Sequence, residues 1–143
     1  MGRDLWRVSS SGGTTTQVTR DGSGLLGLES ADGKSLVYQP DAGESPVLTM
    51  SLDGGPRQLV ECAEKEAFAI GLQGLYYVPC GPDESATLHL FDPSTGRDRL
   101  LGKLDRFTSG YNPSLSVSPD GTTILYHKVV SDGADLMLIE NFR

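Results

Sequence analysis

The sequence predicts an all-β chain built from repeated antiparallel sheets of four short strands. Three observations carry that prediction. Glycine and proline are frequent, at 18 and 8 of 143 residues, which implies many turns. No segment holds a sustained helical period. A turn phrase also recurs: Ser30-Ala31-Asp32-Gly33-Lys34-Ser35-Leu36-Val37-Tyr38 matches Ser118-Pro119-Asp120-Gly121-Thr122-Thr123-Ile124-Leu125-Tyr126 at an offset of 88 residues.

The phrase has a physical reading. Gly33 and Gly121 can take positive φ without a Cβ clash, and Asp32 and Asp120 can bond to the backbone beyond them. Each phrase therefore reads as a structural turn joining two strands of a hairpin. Val37-Tyr38 and Leu125-Tyr126 supply residues that suit the strand that follows.

A second phrase gives nearly the same period. Leu5-Trp6-Arg7-Val8 leads to Gly12-Gly13, Val47-Leu48-Thr49-Met50 to Gly54-Gly55, and Leu88-His89-Leu90-Phe91 to Thr95-Gly96. These turns are 41 to 42 residues apart, and the 88-residue offset is two periods of 44. A period of roughly 40–45 residues is that of a β-propeller blade, a four-stranded antiparallel sheet.

Strands are expected in order at 4–9 and 14–19, then 25–29, 35–39, 46–52 and 57–61. The next unit has 67–71, 74–79, 86–91 and 98–102, and the last has 114–118, 123–129 and 135–141. The units divide as a partial blade 1–20, blades 21–62 and 63–104, and a partial blade 105–143. The third unit departs from the turn phrase, with Ile70-Gly71-Leu72-Gln73-Gly74-Leu75 giving a shorter hairpin. Cys62-Ala63-Glu64-Lys65-Glu66-Ala67 is the best helix candidate but is too short to stand alone.

About three and a half blades fall short of most single rings, which hold four to eight. An open arc would leave unpaired edges. Completion is therefore expected from a second copy, as a homodimer, or from missing domains of a longer parent chain. A distorted closed ring of three or four blades is the alternative.

The phrases Ser118-Pro119-Asp120-Gly121, Leu5-Trp6-Arg7-Val8 and Gly12-Gly13 resemble TolB-like (WD40-like, PD40) propeller repeats. Residues 135–143 look like the C-terminus of large bacterial proteins carrying such propellers. The resemblance covers essentially the whole chain. It implies a bacterial, extracytoplasmic (periplasmic) binding protein, with no catalytic residues to carry over and the repeat phrase in a structural role. Fold alone does not set function.

Composition narrows the partners. The net charge is −7, and the 12 Lys and Arg are scattered, whereas a nucleic-acid binder presents a basic patch. No run approaches a membrane span, and the first residues lack the apolar stretch of a secretory signal. Cys62 and Cys80 read as two small buried or half-buried thiols. A disulfide between them is the alternative in an oxidising compartment.

Chemical motifs are weak. Gly22-Ser23-Gly24-Leu25-Leu26-Gly27 spells GxGxxG, but a strand is expected after it, where a dinucleotide site needs a helix. His89 and His127 are the only histidines, expected to face solvent or bond between blades. No zinc spacing or nucleophile elbow is present, so no cofactor, metal or catalytic residue is expected. Asp92-Pro93-Ser94-Thr95-Gly96 reads as a turn closed by its Asp.

Trp6, Phe107, Tyr111 and Phe142 could join a recognition surface, although Trp6 is expected to pack between blades. The segment Asp105–Pro113 mixes charged, aromatic and polar groups, so Arg106, Phe107, Tyr111 and Asn112 form the candidate ligand-contact loop. The functional expectation is a non-catalytic scaffold for protein or ligand binding. The alternative is a gating propeller of a bacterial peptidase or polysaccharide-degrading enzyme.

Overall fold

The computed structural model describes residues 2–20, 22, 24, 26–30, 32–40, 45–51, 54–81, 86–110 and 113–130. It is all-β, with no helix among the described residues. The strands are β1 (Trp6–Arg7), β2 (Thr16–Gln17), β3 (Leu26–Glu29), β4 (Ser35–Gln39), β5 (Ser45–Ser51), β6 (Pro56–Gly71), β7 (Gly74–Pro79), β8 (Thr87–Asp92), β9 (Arg97–Lys103), β10 (Leu115–Val117) and β11 (Ile124–Tyr126). The expected strand at 135–141 lies outside the described residues.

Strands β3 to β9 form one seven-stranded antiparallel sheet in sequence order, flanked by the two-stranded sheets β1–β2 and β10–β11. The sequence suggests two separate sheets over residues 25–102, with strands at 57–61 and 67–71. The structure corrects this: β6 is a single 16-residue strand serving both halves. Its first part pairs with β5 up to Ala63–Ser45, and its second pairs with β7 from Phe68–Tyr77. Ala63 also faces Pro79, and the register shifts between Ala63 and Phe68. Two four-stranded meanders therefore share one strand, broken in the middle. The weak helix candidate Cys62–Ala67 is this break, where the register shifts between the two paired halves of the strand.

Alternation of side chains across each strand decides the packing. In the second meander, Phe68, Leu75 and Tyr77 lie on one face and meet Val37, Val47, Leu59 and Val60 of the first. The sheet thus curls so that its two halves stack. On the opposite face, Ala69, Tyr76 and Leu90 pack against Leu115, Val117, Ile124 and Tyr126 of the β10–β11 sheet. On the far face of the first meander, Leu5 fits against Gly27 beside Leu36. The layers therefore stack in sequence order: β1–β2, the first meander, the second meander, and β10–β11. Fully buried side chains such as Phe68 and Leu75 each contribute roughly 1.5–3 kcal/mol.

Cys62 and Cys80 form a disulfide with Cα atoms 5.5 Å apart. The expected pair of free thiols is thus corrected. The break in β6 and the end of β7 place both residues at one corner, as a bridge requires.

Candidate functional site

The repeated turn phrase folds twice into one hydrogen-bond network. Ser30 Oγ donates to Asp32 Oδ1 at 2.6 Å, Lys34 N to Asp32 Oδ1 at 3.0 Å, and Ser35 N to Ser30 Oγ at 3.0 Å. The copy uses Ser118 Oγ to Asp120 Oδ1 at 2.5 Å, Thr122 N to Asp120 Oδ1 at 3.1 Å, and Thr123 N to Ser118 Oγ at 3.0 Å. Gly33 and Gly121 have φ of 67° and 71°. Asp92 closes a third turn, accepting from Ser94 N, Ser94 Oγ and Thr95 Oγ1. Hydroxyl and amide donors hold Asp92 and Asp120 down to a pKa of about 2 and lower Asp32 as well. These bonds run within the turns themselves, so the three carboxylates act as fasteners of local structure.

The break in β6 is built around Gln39, which is fully buried. Its Nε2 donates to the carbonyls of Ser45, Ala63 and Glu64, and its Oε1 accepts from Glu66 N at 2.8 Å. Glu66 sits at φ 59°, a left-handed conformation costly for a residue with a side chain. The amide of Gln39 satisfies the backbone groups that the break withdraws from the ladder. Beside it, Glu64 Oε1 accepts from Gly81 N and Oε2 from Ser109 Oγ, each at 3.3 Å.

The loop expected to contact a ligand straps this corner. Ser114 N donates to Glu66 O at 3.0 Å and Gly110 N to Lys65 O at 3.4 Å. On its other side the loop zips to residues 127–129 through Thr108 N to His127 O and Val129 N to Arg106 O. Asp105 pairs with Lys128. Phe107 is 5% exposed and packs with Ala67 and Val78, so its ring belongs to the core. Arg106 is exposed at φ 50°. Tyr111 and Asn112 lie outside the described residues, as does Phe142. Of the four loop candidates, Arg106 and Phe107 lie among the described residues.

His89 faces away from its strand neighbours, as its alternating position implies. Its Nδ1 lies 2.8 Å from Asp98 Oδ2, and its ring tilts on Tyr77 at 5.6 Å. Burial, reinforced by the Asp98 charge, pushes the Tyr77 hydroxyl up to about 12. No group of three or more His, Cys, Asp or Glu side chains is arranged to hold a metal among the described residues.

Two open clefts flank the Leu72–Gln73 turn. One, of about 510 Å³, lies between the meanders, with Asp32, Val37, Arg57, Leu59, Leu72 and Ser94 in its lining. The other, of about 570 Å³, is lined by Gln73, Leu90, Asp92, Arg97, Asp98 and Arg99. Arg97 and Arg99 belong to no motif that the sequence reading singles out. Their signal is alternation along a strand, with two cations on one face.

Comparison with protein-family models, with curated proteins and with solved structures finds no match to this chain. Its class therefore rests on the fold itself: an all-β chain whose main sheet curls on itself.

Proposed function

We propose that this chain is a non-catalytic binding scaffold of the β-propeller kind, an arc of stacked sheets that a second copy completes. The observation that carries the reading is the state of the two outermost layers. The two meanders have a layer packed on each face, whereas each end layer turns apolar side chains outward among the described residues. In and beside β1, Leu5 points inward, while Trp6 is 59% exposed and Val8 is also exposed. In β11, Ile124 and Tyr126 point inward, while Leu125 is 67% exposed.

The repeated turn network and the stacking in sequence order support the TolB-like resemblance. Repeats of this type cannot each bury an apolar face alone, so a terminal layer needs a cap or a neighbour. A two-fold pairing of arcs would cover both ends at once. Trp6 is well suited to anchor such a contact, since tryptophan is enriched at interface hot spots.

Trp6 is also the only tryptophan. Its emission tests the proposal directly. Raising the protein concentration from nanomolar to micromolar should move the emission to the blue as the indole leaves water. An emission maximum that stays at the exposed position across the series, with the chain folded, contradicts completion by a second copy.

A further inference from the structure

We infer that β9 is a docking edge for an acidic, extended segment of a partner protein. Among the described residues β9 pairs with β8 alone, so its outer row of backbone N–H and C=O groups faces outward. Such a row is a template for an added strand.

The side chains specify which strand. Arg99 pairs across from Leu90 and Arg97 from Asp92, which puts both guanidiniums on one face of the sheet, two residues apart. Both line the 570 Å³ cleft. Neither is engaged in an ion pair among the described residues. Asp92, the nearest acid on that face, spends its oxygens on its own turn. Asp98 is turned to the other face, where it pairs with His89, and Leu100 lies there 60% exposed. The edge therefore shows two cations on one side and an exposed leucine on the other, in a chain whose net charge is −7.

A strand alternating acidic and apolar residues matches both sides in register, because its side chains alternate with the same period. Arginine also favours carboxylate partners through paired N–H donors. The same cations repel a second β9, so this site selects against self-pairing. The inference does not depend on completion of the arc by a second copy.

The test uses the 143-residue chain and a labelled peptide alternating valine and glutamate. Amide NMR shifts should cluster on β9, and binding should weaken as salt screens the charges. The double variant Arg97→Glu, Arg99→Glu should lose about tenfold or more in affinity. A peptide N-methylated on its strand-bonding edge should lose a similar factor, which requires no change to the protein. The inference is overturned if a valine–lysine peptide binds as well, if N-methylation changes nothing, or if no binding occurs at millimolar peptide.

Discussion

Gln39 Oε1 accepts the backbone N–H of Glu66 at 2.8 Å, which ties the end of β4 to the point where β6 breaks. This bond crosses 27 positions of sequence and lies wholly inside the protein. Replacing Gln39 with Leu keeps a similar volume but removes the side-chain partners of that buried backbone. Each abandoned group costs roughly 1–3 kcal/mol. With four such groups left behind, Gln39→Leu should destabilise the fold by about 4 kcal/mol or more, seen as a lower urea midpoint at unchanged slope.

The disulfide closes a segment with a sequence separation of 18 between Cys62 and Cys80. Constraining a loop of that size in the unfolded chain is worth about 3 kcal/mol. The double variant Cys62→Ser, Cys80→Ser should lose about that much in a denaturant titration. A thiol reductant should lower the melting temperature of the parent chain but not of the variant.

Much of the fold is legible along the chain, and the reason is local. Asp32-Gly33 and Asp120-Gly121 make their turns from bonds within five residues, so the phrase carries its own geometry. Strands β3, β4, β7 and β8 follow from alternation between such turns. The continuity of β6 is not local. Residues 62–67 read in the sequence as a short helix candidate, and their place in the strand comes from the distant Gln39 amide and from the pairing that resumes on either side of the break. The cysteine pair is ambiguous in the sequence for the same reason, because its closeness depends on that break. Phe107 reads as a ligand-contact candidate in a loop of mixed charged, aromatic and polar groups, and the strap to residues 127–129 packs it into the core.

The turns should resist acid. The folded pKa of Asp92 and of Asp120 is lowered from 3.8 to about 2. A carboxylate lowered on folding adds stability that is present above its unfolded value and is lost as pH falls through the folded one. The turns should therefore stay closed through the ordinary carboxylate range and open as pH falls towards about 2. Carboxyl carbon NMR should give midpoints of about 2 for both residues, and midpoints at the ordinary 3.8 would contradict the bonded turns.

The contact of β1–β2 with the first meander depends on Gly27. A Cβ there would lie 2.7 Å from Leu5 Cδ1 and 3.3 Å from Leu36 Cδ1. Gly27→Val should displace Leu5 and cost about 1–3 kcal/mol through overpacking. Hydrogen exchange should show faster exchange at Val18, whose N–H donates to Leu5 O at 2.8 Å, with the second meander unchanged.

The most direct measurement is molar mass in solution by light scattering. An arc completed by its twin should weigh twice the chain's 15.3 kDa, with the mass falling on dilution and in the variant Trp6→Asp. A folded particle of 15.3 kDa at every concentration would contradict the account.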